Sequence, residues 1–124
     1  MFNSKTLIEQ SHTVEMSILC GVSSYSEAKQ ALLWGAEALK FYPGTIIKPK
    51  DLKNILTELK SDGLLLSSNV TDIIVAGGVL DTDYEAYINA GATNFAMGFD
   101  CKKMTPRQIK LILKDLNKLY LSLL

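Results

Sequence analysis

One lysine stands inside an apolar, strand-like run, Ala38-Leu39-Lys40-Phe41-Tyr42-Pro43. Successive side chains of a strand point to opposite faces, so Ala38, Lys40 and Tyr42 share one face and Leu39 and Phe41 the other. A lysine on a central strand must be paired, or must release its proton more easily than in water. A neutral lysine amine can attack a carbonyl carbon and form a Schiff base. At a strand edge the same residue has no chemical role, because its stem lies along the sheet and its ammonium reaches water. The elements around Lys40 decide between these two readings.

Those elements repeat. Ser17-Ile18-Leu19-Cys20-Gly21-Val22, Asp72-Ile73-Ile74-Val75-Ala76-Gly77-Gly78 and Thr93-Asn94-Phe95-Ala96-Met97-Gly98 read as strands beside the lysine strand. Near-continuous apolar runs suit parallel strands covered on both faces. Helices fall between them. Ser24 to Glu27, Thr82 to Glu85 and Thr105 to Gln108 each fit a capping box, and Pro106 takes the favoured first helical position. The first helix buries Ala28, Ala31 and Leu32 and stops at Gly35, and the second stops at Gly91. Pro49 opens a helix with Leu52, Ile55, Leu56 and Leu59 on one stripe, ending near Asp62-Gly63. The spacing of the last helix predicts burial of Ile109, Ile112, Leu113, Leu116 and Tyr120. An opening helix runs from Asn3 to about Thr13 with Leu7 and Ile8 inward. The apolar run from Gly63 to Ser68 reads as a packed connection.

The order is thus a helix followed by four strand–helix units. Trp34-Gly35-Ala36-Glu37 leads into the lysine strand as Ala90-Gly91-Ala92-Thr93 leads into the last strand, at an offset of 56 residues. That rhythm belongs to a (β/α) barrel or an open doubly wound sheet. A flavodoxin-like sheet binding an anion at Gly77-Gly78 fits less well, because no dinucleotide fingerprint is present.

Composition narrows the function classes. The chain has 124 residues, enough for one domain over 1–124, and 48% are hydrophobic, enough for a core. Thirteen basic residues balance thirteen acidic ones and no basic stripe is visible, which argues against a nucleic-acid partner. The only histidine, His12, falls on a surface helix, so no metal site is expected, and no motif calls for a cofactor. Cys20 and Cys101 are too far apart for a CxxC pair and fit reduced thiols of a cytoplasmic protein. There is no signal peptide and no apolar run long enough to span a membrane.

Four segments in order carry a resemblance. They are Gly21-Val22-Ser23-Ser24-Tyr25-Ser26-Glu27-Ala28, Ala38 to Pro43, Ala76-Gly77-Gly78-Val79, and Asn89-Ala90-Gly91-Ala92 leading to Met97-Gly98. With these the chain resembles the 2-keto-3-deoxy-6-phosphogluconate (KDPG) and 4-hydroxy-2-oxoglutarate (KHG) aldolases, including the phosphogalactonate members. The resemblance runs from about Phe2 to Tyr120. It implies an α/β fold of the (β/α) TIM-barrel family, here a half barrel of about four βα units preceded by a helix.

It also implies roles. Lys40 falls on the Schiff-base lysine, acting on a 2-keto acid substrate that releases pyruvate. Pro43 shapes the loop at the mouth, Ser24 stands where the family has a substrate-side threonine, and Gly77, Gly78 and Gly98 fall on the phosphate-holding positions. Structural readings stand beside these: Gly77-Gly78 as a turn, Ser24 as an N-cap, Glu27 as its capping partner, Tyr42 as interior filling. The chain departs from the family at Phe99 (serine in the family), Met97, Tyr25 and Gly44 (alanine in the family, a mild change), so a smaller, unphosphorylated keto acid is an open alternative. A complete barrel needs about 200 or more residues. The family's general-base glutamate and carboxylate-binding arginine sit on earlier strands, and no residue here inherits them. The expected partners are a copy of the chain, in a homo-oligomer, or a complementary half barrel. The competing function is a non-catalytic half-barrel subunit that keeps the lysine by descent.

Overall fold

In the computed structural model the described residues are 3–67, 72–98 and 103–123. The elements run α1 (Lys5–Thr13), β1 (Leu19–Val22), α2 (Tyr25–Leu33), β2 (Ala38–Phe41), α3 (Pro49–Ser61), α4 (Leu64–Ser67), β3 (Asp72–Ala76), α5 (Tyr84–Ala90), β4 (Asn94–Ala96) and α6 (Pro106–Leu123), with one 3-10 turn over Asp81–Asp83. The four strands form one parallel sheet in chain order, β1-β2-β3-β4. No strand order reverses, so the described sheet lacks the switch point at which a doubly wound fold binds its ligand. The α/β class and the four strand–helix units are as expected from the sequence.

Register explains which side chains are covered. Cys20, Leu39 and Ile73 lie across from one another, as do Val22, Phe41, Val75 and Phe95. All of these but Phe95 are buried, and Phe95 packs against them. They share a core with Ala28, Ala31 and Leu32 of α2, Leu52, Leu56 and Leu59 of α3, and Tyr87 and Ala90 of α5. One face of the sheet therefore meets the helices. The other face presents Leu19, Ala38, Asp72, Lys40, Ile74 and Asn94, none of them buried. Coverage on both faces was expected from the apolar runs. The described chain covers one, because α2, α3 and α5 all pack on the same side.

The helix ends follow their signals with one exception. Ser24 Oγ accepts from the Glu27 N–H at 3.2 Å, and Glu27 Oε2 accepts from the Ser23 N–H at 2.6 Å, one residue before the expected partner. These bonds, the Ser23 hydroxyl first, hold the Glu27 carboxyl below the usual carboxylate range. Thr105 and Gln108 complete a reciprocal box, with the Thr105 N–H on Gln108 Oε1 at 2.7 Å and the Gln108 N–H on Thr105 Oγ1 at 3.3 Å. The box expected at Thr82 to Glu85 does not start α5. The chain first makes the 3-10 turn, and Asp83 becomes the N-cap. The packed connection expected after Gly63 includes the short helix α4, with Leu64 and Leu65 against the core.

Two faces differ from expectation. Ile8 is buried but Leu7 is 60% exposed, since α1 is anchored through Ile8 and the Asn3 amide on Gly21 O at 2.8 Å. On α6, Leu113 is 48% exposed and Ile109, Ile112 and Leu116 are half-buried. The apolar stripe is present, but the described chain gives it too little surface to pack against. The Tyr120 side chain lies outside the described residues, as do Phe99 and Cys101, while Cys20 is a buried free thiol.

The 56-residue repeat is structural. Gly35 and Gly91 end α2 and α5 with φ of 94° and 114°, and the next alanine donates back into each helix, Ala36 to Ala31 O at 3.0 Å and Ala92 to Tyr87 O at 2.9 Å. This is the Schellman pattern. The following residues match in role as well. Glu37 accepts from the Ile18 N–H at 3.1 Å, and Thr93 Oγ1 accepts from the Ile73 N–H at 2.8 Å. In each unit a side chain entering one strand caps the backbone of its neighbour.

Candidate active site

Because all four strands are parallel, the loops that follow them gather at one edge of the sheet. Ser24 follows β1, Pro43 follows β2, Gly77 and Gly78 follow β3, and Gly98 follows β4. That edge is where sites form in folds of parallel strands. Lys40 lies on the uncovered face, in register with Gly21 of β1 and Ile74 of β3, with Asn94 next to Ile74. Gly21 presents no side chain to the lysine on that flank. Lys40 is half-buried and makes no ion pair among the described residues. Its Nζ lies 5.8 Å from the centre of the Tyr42 ring, two residues along the same face. A cation at this distance is attracted by the ring's negative face, typically by about 0.5–1 kcal/mol at an exposed site.

The edge loops are fastened to each other. The Gly44 N–H donates to Ala76 O at 2.7 Å and the Thr45 N–H to Gly77 O at 3.1 Å. Tyr87, buried in α5, places its hydroxyl 2.8 Å from both Gly44 O and Ile47 O. Burial holds that phenol above its ordinary pKa, with the charges of Asp83 and Asp51 adding to the effect, so the hydroxyl stays a donor. The loop after the lysine strand is thereby pinned from two sides. Gly44 proves to be more than a mild replacement for alanine, since a Cβ there would run into Val79.

Gly77 has a structural task of its own. Its φ is 86°, and a Cβ would lie 2.6–2.7 Å from ring atoms of Tyr42. Thr45 covers Gly78 in the same way, whereas Gly98 faces open space. The glycine pair is what lets the Tyr42-Pro43-Gly44-Thr45 loop close down beside the lysine. Gly77→Ala is expected to cost about 1–3 kcal/mol, the sum of left-handed strain and a displaced ring. Urea unfolding measures it, and adding Tyr42→Ala should restore the steric part but not the strain. A neutral Gly77→Ala would mean that the ring does not rest there.

Ser24 is half-buried at the N-cap of α2, so its hydroxyl already serves the helix. The alternation of the lysine strand marked Tyr42 as a face-mate of Lys40, but its seat on Gly77 required the fold. Between the ends of β3 and β4 lies a cavity of about 530 Å³, reached by Gly77, Gly78, Tyr84, Met97, Met104 and Ile112 among others. The Tyr84 hydroxyl is turned onto the Met97 sulfur. Sequence spacing had not joined Met104 and Ile112 to this edge, because α6 reaches it only by tertiary packing. Among the described residues no cluster of three or more His, Cys, Asp or Glu could hold a metal, and no helix is long and apolar enough to cross a membrane.

No protein-family model matches the sequence, and no curated protein does. Solved structures do match. One, described as "Native KDPGal structure", is 22% identical with a TM-score of 0.75, over 95% of this chain and 56% of that one. Another, described as "Structure of a cube-shaped, highly porous protein cage designed by fusing symmetric oligomeric domains", is 21% identical with a TM-score of 0.73, over 97% of this chain and 44% of that one. The chain spans about half the length of the solved structures it resembles. At these identities the likeness is one of fold: a four-stranded parallel α/β sheet similar to part of the KDPGal structure.

Proposed function

We propose that this chain is the Schiff-base half of a class I aldolase, acting on 2-keto-3-deoxy sugar acids or 4-hydroxy-2-oxoglutarate and releasing pyruvate. One observation carries the reading. Lys40 stands without an ion pair among the described residues at the middle of the sheet, on its uncovered face, toward the edge where the four βα loops meet. The neutral amine adds to the keto carbon, the carbonyl oxygen leaves as water, and an iminium results. The iminium draws the electron pair of the C3–C4 bond as that bond breaks. The C4 hydroxyl loses its proton, an aldehyde departs, and the enamine takes up a proton at C3. Water then hydrolyses the imine to free pyruvate and the lysine.

The row Gly21, Lys40, Ile74, Asn94 holds no carboxylate. A base for the C4 hydroxyl must therefore come from outside this row, where Asp72 lies across from Ala38 on the same face; without a base, turnover would be roughly 10²–10⁴-fold slower. The uncovered face, with Leu19 and Tyr42 each 46% exposed, is where a second copy or a complementary half barrel would sit. The lack of a carboxylate in the row of Lys40 also favours the second reading, a half-barrel subunit whose lysine no longer reacts.

Trapping with pyruvate and borohydride separates the two. One reduced adduct, mapped by peptide mass to Lys40, supports the aldolase. No adduct, or adducts scattered over surface lysines, leaves the subunit. A monodisperse monomer in solution scattering would remove self-pairing.

A further inference from the structure

We propose that the base for the C4 hydroxyl is Asp72 of a second copy of this chain, packed face to face on the uncovered side of the sheet. The proposal rests on the Schiff-base reading of Lys40 and names the partner that completes that site.

Among the described strand residues, the uncovered face carries one cation and one anion, Lys40 and Asp72. They stand one strand apart and two residues out of step, since Lys40 lies across from Ile74 and Ala38 across from Asp72. The two side chains make no ion pair with each other. A face with one charge of each sign is complementary to itself under two-fold rotation: Lys40 of each copy meets the Asp72 of the other. Exposed apolar surface at Leu19 and Tyr42 adds a reason for that face to be covered.

Two-fold pairing also puts the carboxylate on the useful side of the lysine. In its own chain Asp72 opens β3, at the end of the sheet away from the loops where substrate enters. An axis crossing the strands at the row of Lys40 runs the partner's sheet antiparallel to this one. The partner's Asp72 then lies beyond that row, toward the loop edge. With sheets about 10 Å apart, strands about 4.8 Å apart and a rise of about 3.3 Å per residue, its α-carbon falls about 13 Å from that of Lys40. A lysine stem and an aspartate carboxylate bridge that distance with a short keto acid between them. Asn94 steadies the carboxylate, its amide nitrogen donating to Asp72 Oδ1 at 3.3 Å.

The face is a better docking surface than the edge of β1. Val22 O accepts from the Tyr42 N–H at 3.1 Å and so turns toward β2. The carbonyl before it, Gly21 O, turns outward, where the Asn3 amide holds it at 2.8 Å. A strand added along that edge would have to displace Asn3.

In the completed site the partner's Asp72 takes the C4 hydroxyl proton as the C3–C4 bond breaks. The electron pair of that bond moves into the iminium, which leaves an enamine and a free aldehyde. The carboxyl group returns its proton to C3, and water then frees pyruvate and the lysine.

The test is complementation between two inactive variants. Asp72→Asn should keep the borohydride adduct with pyruvate, stay dimeric in solution scattering, and lower pyruvate release from 4-hydroxy-2-oxoglutarate roughly 10²–10⁴-fold. Asp72→Ser gives the same reading should the asparagine variant fail to fold. Lys40→Ala should form no adduct and release no pyruvate. Co-expressed in equal amounts, Asp72→Asn and Lys40→Ala chains should recover about a quarter of the wild-type release, because half of the dimers are mixed and each mixed dimer holds one intact site. Co-expression that recovers nothing, or Asp72→Asn working at the wild-type rate, would overturn the shared site and leave the imine chemistry intact. So would an adduct on Lys40 with no release of pyruvate by the wild type, or a monomeric wild type, which would hand the face to a complementary half barrel. Absence of the Lys40 adduct would remove the Schiff-base reading and the shared site with it.

Discussion

Lys40→Ala should abolish the pyruvate adduct and leave the fold standing. The adduct needs the ε-amine, and no other lysine lies on the sheet's uncovered face among the described residues. The expected loss is to background, at least about 100-fold, as is usual when a nucleophile is removed. Stability should change by less than about 1 kcal/mol. The side chain is only half-buried, it has no ion pair among the described residues, and its aromatic neighbour Tyr42 keeps its seat on Gly77. Intact-mass analysis after borohydride, beside a urea curve for the same variant, reads both quantities. An adduct that survives Lys40→Ala would sink the assignment. A collapse in stability would mean that the lysine is structural.

Phe41→Ala should do the reverse. The next residue along β2 points to the helix-covered face, where Phe41 is fully buried between Val22 and Val75 of the flanking strands. Deleting its ring leaves a cavity that helices tied through the same core cannot close, at a cost of about 3–5 kcal/mol. Domains of ordinary stability hold only about 5–15 kcal/mol in total, so the variant should unfold at much lower urea or not fold at all. A loss below about 1 kcal/mol would show that β2 is not the centre of the core. Adjacent residues on one strand would thus divide chemistry from stability, purely through the alternation of side chains across a sheet.

Much of this was legible in the residues. Strand alternation placed Lys40 opposite Leu39 and Phe41, and burial follows that pattern. The helix stripe of α3 was legible too, with Leu52, Leu56 and Leu59 buried and Ile55 beside them. So were the stops at Gly35 and Gly91, because the Schellman turn asks for a residue at positive φ. Apolar periodicity misled where it marked a face without knowing what the face would meet. Leu7 and Leu113 are exposed for that reason. The Thr82 box gave way to a 3-10 turn, since a capping pattern competes with the geometry of the loop entering it.

The element order, the identity of the lysine strand and the side on which Lys40 lies were all set by the residues. These are local properties, set by side-chain period and by the φ preferences of glycine and proline. What surrounds that lysine depends on how the elements pack. The parallel order β1-β2-β3-β4 brought four distant loops to one edge. Contact between chain segments put Tyr42 on Gly77 and fastened Gly44 to Ala76. Packing of α6 brought Ile112 to an apolar cavity beside β3 and β4. Such contacts join residues far apart in the chain, and no local preference encodes which distant partner a surface will meet.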